Sequence, residues 1–185
     1  ITGFYSEVKD ANEISFYYAD GLVGFAEDSE FVQEILQGID KKYFVLEFGV
    51  EAQIIPSVKI KAASSIGQYT YDNNPYLYLG ADSYTVAVGQ SNLKNYKVAG
   101  GPQRAYSIGF EYRDPNYWFV GVTSNFFTNT YIDISPLTRT QNFYLAQDGL
   151  PFNDYNLNVA QDLLRQEKFD DYMVCLLYTS PSPRD

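Results

Sequence analysis

The chain has 185 residues, with Asp+Glu 23 against Lys+Arg 13, a formal charge of -10 and no histidine. So acidic a balance excludes the basic stripe of a nucleic-acid interface, and without imidazole there is no Ser-His or Cys-His dyad and no histidine metal ligand. At 45% hydrophobic and 17% aromatic residues, the chain is too apolar for disorder and suits a single domain.

Taken in order, residues 4–18 form the first and weakest strand candidate, with Phe4, Val8, Ile14, Phe16 and Tyr18 opposed to Gly3, Glu7, Lys9, Glu13 and Ser15. A long connection over 19–30 follows. Residues 44–52 alternate cleanly: Phe44, Leu46, Phe48, Val50 and Ala52 oppose Val45, Glu47, Gly49 and Glu51. Pro56 and Ser57 mark a tight turn, since proline presets φ and serine offers a local hydrogen bond. The next strand, 58–66, sets Val58, Ile60, Ala62, Ser64 and Ile66 against Lys59, Lys61, Ala63 and Ser65. A second long connection covers 72–103. Residues 105–112 place Tyr106, Ile108, Phe110 and Tyr112 against Ala105, Ser107, Gly109 and Glu111, and Asp114-Pro115-Asn116 makes another tight turn. The fifth strand lies within 117–132, with Trp118, Val120, Val122 and Phe126 on its apolar side. The third long connection, 133–171, contains one helix over 156–166, from the helical spacing of Leu157, Ala160, Leu163 and Leu164, and that stripe packs the loop onto its own protein. A sixth strand starts near Tyr172. There is no internal repeat and no domain linker.

Short turns and long connections alternate, so an up-and-down meander gathers every tight turn at one end and every long loop at the other. That asymmetry belongs to outer-membrane barrels, whose strands cross with about 9–11 residues and carry aromatics near the interfaces, here Tyr112, Tyr117 and Trp118. The expected fold class is all-β: a partial antiparallel up-and-down outer-membrane β-barrel of five to six strands of a larger barrel, with long external loops. No apolar run approaches the roughly 18 residues of a spanning helix, and residues 1–10 hold no secretion signal.

Little in the chain points to catalysis. Glu47 and Glu51 share a strand face four residues apart and read as a hydrated lumen wall, with no retaining-glycosidase spacing. The acidic loops around Asp72, Asp82, Asp148 and Asp170-Asp171 lack a calcium-loop pattern. Gly100-Gly101-Pro102 precedes a strand and so makes no phosphate cradle. Lys41, Lys42 and Arg139 read as surface residues. No catalytic residue, metal site or cofactor is expected. The ligand-binding candidates are the aromatics of the long connections: Tyr76, Tyr78, Tyr84, Phe143, Tyr144 and Phe152.

The stretches LEFGVEAQIIPSVKIKAASSIGQYTYDNNPYLYL (46–79), GGPQRAYSIGFEYRDPNYWFVGVTSNFF (100–127) and LTRTQNFYLAQDGLPFNDYN (137–156) resemble the barrel of TonB-dependent receptors from Bacteroidota. More narrowly they resemble the subgroup bearing an N-terminal carboxypeptidase-regulatory-like domain. The resemblance covers 1–174 and implies a late section of a 22-stranded barrel in the cell outer membrane, with Pro56 and Pro115 facing the periplasm and the long loops facing outward. It implies an active transporter that imports a large nutrient of the iron-chelate, cobalamin or glycan class. The partners it implies are outer-membrane lipid, a plug domain and further strands of the same chain, TonB acting through an N-terminal region, and an unidentified transported ligand. The final residues, CLLYTSPSPRD (175–185), resemble a translated sequencing adapter and read as a non-native tail. The competing expectation is a soluble antiparallel β-protein that binds carbohydrate through Tyr-rich loops.

Overall fold

In the computed structural model, which describes residues 1–19, 30–81, 84–141 and 164–179, the chain is an antiparallel sheet that does not close on itself. Its strands are β1 (Thr2–Ala19), β2 (Glu30–Ile55), β3 (Val58–Tyr71), β4 (Tyr76–Ala81), β5 (Tyr84–Gln90), β6 (Pro102–Arg113), β7 (Phe119–Tyr131) and β8 (Lys168–Thr179). The described helical content is a 3-10 turn at Leu137–Arg139 with the single residues Gln141 and Leu164; of the helix expected over 156–166, residues 156–163 fall outside the described residues, and Arg165 and Gln166 are not helical.

Along the sheet the order is β5-β4-β2-β3-β6-β7-β8, with β1 on the other edge of β2. β3 and β4 share one edge of β2: Lys41 pairs with Tyr71, and beyond it Gln37 pairs with Tyr76 and Gln33 with Gly80. β4 is therefore the continuation of β3 past an interruption at residues 72–75. Two strands not foreseen, β4 and β5, thus lie inside the connection expected over 72–103, and β2 begins fourteen residues before the alternating run at Phe44. β8 runs through residues 175–179, where Cys175 pairs with Thr123 and Tyr178 with Val120. Ladder bonds are made by main chain and accept most side chains there.

The 26 residues of β2 would extend about 85 Å at roughly 3.3 Å per residue, far beyond what a bilayer needs, whereas β3, β6, β7 and β8 have 12 to 14. The excess lies beyond a seam of irregularities. In β1 Asp10 has φ 54°, and in β2 Gly38 has φ 71°; the pairing slips once on each strand, between Val8 and Ala11 and between Ala11 and Glu13. Left-handed backbone is cheap for glycine and tolerable for aspartate, so these residues are where the bulges fall. Polar side chains stitch the seam together. Asp40 Oδ1 accepts from the Asp10 amide at 3.0 Å, Asn73 Oδ1 accepts from the Asp40 amide at 2.9 Å, and Asn73 Nδ2 donates to the Gly38 carbonyl at 2.6 Å.

Because each strand carries one extra residue, the faces stay in phase across the β1–β2 seam, but the parity of each strand flips. Phe4 and Val8, paired with Val45 and Lys41, therefore lie on the same face as Glu13, Ser15 and Tyr17, opposite Ile14, Phe16 and Tyr18. The single alternation expected over 4–18 is corrected here: the bulge at Asp10 splits it into two half-runs of opposite parity.

Below the seam one face is apolar and bare. Phe44, Leu46, Phe48, Val50, Ile108, Phe110 and Phe126 are all exposed. The opposite face carries ion pairs across three strands: Lys59 with Glu51 at 2.8 Å, and Lys61 between Glu51 at 3.8 Å and Glu111 at 3.5 Å. At the tight-turn end the Tyr112 and Trp118 rings lie 5.3 Å apart. Higher on the polar face, Tyr69 lies across Gly67; a Cβ there would sit 2.9 Å from its ring.

Above the seam the continuation of the polar face is covered. Leu36, Ile39, Tyr71, Leu77, Leu93 and Ile134 form a buried cluster, with Val98 and Leu137 packed against it. The covering chain is tied down by main-chain bonds, Tyr71 N to Tyr96 O at 3.0 Å and Asn92 N to Arg139 O at 2.9 Å. Gln166 clamps the Lys97 peptide from both sides, accepting from its N–H at 2.9 Å and donating to its carbonyl at 2.8 Å. Arg139, expected at the surface, is buried: it donates to Ser135 O and Leu164 O while its guanidinium lies 4.8 Å from the Tyr96 ring centroid. Lys41 is also buried, paired with Glu13 and set over the Tyr71 ring. Both escape a surface reading because their partners are distant in sequence.

Candidate functional site

The covered face above the seam borders an open-mouthed cavity of about 740 Å³ between β1, β2, the end of β3 and residues 133–136. β1 supplies Glu13, Ser15 and Tyr17, which alternate on one side of the strand once the Asp10 bulge has reset its parity. From β2 come Glu34 and Leu36, paired directly opposite Ser15 and Glu13. Tyr71 closes the β3 side, and Asp133 with Ile134 reaches over from the loop that follows β7.

Glu34 is the central group. It is 7% exposed, yet only one described side chain satisfies it: Ser15 Oγ donates to Oε1 at 3.3 Å. Burial pushes its carboxyl above the ordinary glutamate range; the Ser15 hydrogen bond opposes the shift and the Asp133 charge adds to it. Tyr17 stands beside it with its hydroxyl buried and unpartnered among the described residues. Burial, and then the Glu34 charge, raise the Tyr17 phenol. Tyr71 is raised chiefly by burial, with the Glu13 charge adding to it.

Charge in the cavity is one-sided. Glu13 is neutralised by Lys41, but no described lysine or arginine reaches Glu34 or Asp133. Among the described residues no three acidic or sulfur ligands converge as a metal site would require. What remains is a roomy, negatively biased pocket with tyrosine walls and one idle hydroxyl.

The aromatics expected to bind ligand are placed elsewhere or lie outside the described residues. Tyr76 and Tyr78 stand on β4 opposite Gln37 and Ile35, on the face turned away from the cavity. Tyr84 opens β5. Phe143, Tyr144 and Phe152 are outside the described residues. The cavity residues were missed because 30–43 carries apolar groups on both faces, Phe31 and Ile35 on one and Val32 and Leu36 on the other, so no clean alternation appears. The available signal was Gly38, a bulge residue inside a run of strand formers.

Searches of family models, curated proteins and solved structures return no match to this chain.

Proposed function

We propose that the chain is a section of the barrel of an outer-membrane, TonB-dependent active transporter, with the tight-turn end toward the periplasm and the seam and cavity outside. One observation supports this most: below the seam the sheet exposes a predominantly apolar face while its reverse is polar and cross-linked by charge. Phe48, Ile60, Phe110, Val122 and Leu176 repeat this across five neighbouring strands. In water such a face would need a second layer, which the described chain does not provide, whereas lipid is a sufficient partner for it. The ion-paired reverse suits a hydrated lumen or the polar surface of a plug. β8 and β1 carry open edges that further strands would complete.

The test is fractionation and folding of the full-length protein. Extraction only with detergent, a folded form that resists SDS until heated, and ligand uptake abolished by a protonophore are the expected results. Recovery of a monodisperse, folded protein from the soluble fraction would overturn the reading and leave a soluble ligand-binding sheet in its place.

A further inference from the structure

We propose that the cavity above the seam binds a small organic cation, whose ammonium or guanidinium group lies between Glu34 and Asp133 while a neighbouring carbonyl or hydroxyl accepts from Tyr17 Oη. This deepens the transporter reading, on which it rests for the route by which the ligand arrives, by naming the class of group recognised.

Three observations carry it. Glu34 is a buried carboxylate with one long hydrogen bond and no described counter-charge, a costly state that an incoming cation relieves. The Tyr17 hydroxyl is buried without a partner among the described residues; a ligand acceptor would complete it. The space, about 740 Å³, lies within the roughly 300–1,000 Å³ of small-molecule sites, so it admits an organic ligand rather than a bare ion. A metal is disfavoured on the same geometry, because hard cations take about six to eight oxygens and no three of the described carboxylates converge on a point. The tyrosine walls add to the preference. Lys41 already sits 5.1 Å from the Tyr71 ring centroid, so this ring system accepts a cation over its face.

The ligand is tested with a matched pair of peptides, N-acetyl-Gly-Arg-Gly-amide and N-acetyl-Gly-citrulline-Gly-amide, which share shape and differ in charge. Calorimetric titration into the full-length protein is expected to show the arginine peptide binding at least about tenfold more tightly, the usual scale for a charge-assisted hydrogen bond. Glu34→Gln should remove most of that discrimination while leaving the citrulline peptide unchanged. The same variant should melt no lower than the parent, because it replaces an uncompensated charge with an isosteric amide. Asp133→Asn, in a loop, provides a second variant with the same expected direction. Tyr17→Phe should weaken both peptides equally. Equal binding of the two peptides, no binding, discrimination that survives Glu34→Gln, or saturation of the site by calcium chloride alone would each overturn the proposal. Failure here is separable from failure of the transporter reading. A heat-modifiable barrel with no charge preference sinks the cation site alone, and a detergent-independent protein that discriminates the peptides sinks the transporter alone.

Discussion

The two halves of the sheet place the same residue types in opposite ways. Below the seam, apolar side chains point outward and stay bare, and charged ones line the reverse. Above it, the inner face holds Leu36, Ile39, Leu77 and Leu93 under a cover of loop, as in a small water-soluble core. A single strand, β2, passes through both environments, and the bulge at Gly38 flips its parity at the crossing. The contrast teaches that hydrophobic burial is only a statement about surroundings: the lower half leaves its apolar face uncovered by the described chain, while the upper half supplies its own cover.

The contrast is broken most forcefully by removing the upper core. Leu77→Ala should cost about 2–5 kcal/mol, since Leu77 is fully buried and its neighbours are pinned by main-chain bonds that limit collapse. Hydrogen exchange should quicken at Leu93 and Tyr96 and stay slow in β6 and β7. Loss of protection throughout the sheet would show that the halves fold as one unit. Next in size is Ile108→Arg on the bare face. In lipid vesicles this should destabilise by about 2–4 kcal/mol, the scale for arginine near the bilayer midplane. In a water-facing sheet the same change at an exposed position would be near neutral, so urea titration of the full-length protein separates the two environments.

How much of this could be read from the residues alone differs between the halves for the same reason. The runs at 44–52, 58–66 and 105–112 alternate cleanly because apolar side chains keep to one face throughout, and all three are strands with the faces expected. The class, an open antiparallel meander, followed from them. The stretch 30–43 and the hairpin of β4 and β5 were not legible, because a strand that packs a core on one face and keeps Phe31, Ile35 and Tyr76 on the other shows no period-two contrast. The cavity was hidden for a related reason. Ser15, Glu34 and Asp133 come from three distant segments, and only the register across the seam brings them together. Lys41 and Arg139 likewise read as surface charges in the sequence, because Glu13 and Tyr96, which the fold sets against them, are distant along the chain.

The seam itself is tested by Gly38→Ala. At φ 71° a Cβ costs about 1–2 kcal/mol from backbone strain alone, for the nearest atom it would meet, Asp10 Oδ1, is 3.8 Å away and offers no clash. Thermal melts should show the loss, and cavity ligand affinity should fall with it, since the register that pairs Ser15 with Glu34 begins at this bulge. A smaller effect is expected from pH. Glu34 holds its proton to higher pH in the folded chain than in the unfolded one. Stability tied to it is therefore complete below the ordinary glutamate range and declines as pH rises through that range toward the folded value. The groups facing it are Ser15, Tyr17 and Asp133, with the Glu13–Lys41 pair behind, and of these Asp133 strengthens the trend. Glu34→Gln should flatten the slope of melting temperature against pH between about 4.5 and neutrality.

The smallest change sharpens the contrast from the lower side. Lys61 stands between Glu51 and Glu111 on the polar face, with Lys59 closing on Glu51, so four side chains from β2, β3 and β6 share one lattice. All are at least partly hydrated, and pairs of that kind contribute about 0–1 kcal/mol each. Glu51→Gln should therefore shift the urea midpoint only slightly, and raising salt should shrink the shift further, as screening acts on exposed pairs. If the polar face were instead sealed against a tightly packed apolar layer, the same substitution would leave Lys59 without its carboxylate and Lys61 with Glu111 alone, and the loss would be several times larger and insensitive to salt. The size and salt response of this one variant thus report whether the reverse of the lower sheet faces water, which is the half of the contrast that the bare apolar face alone leaves open.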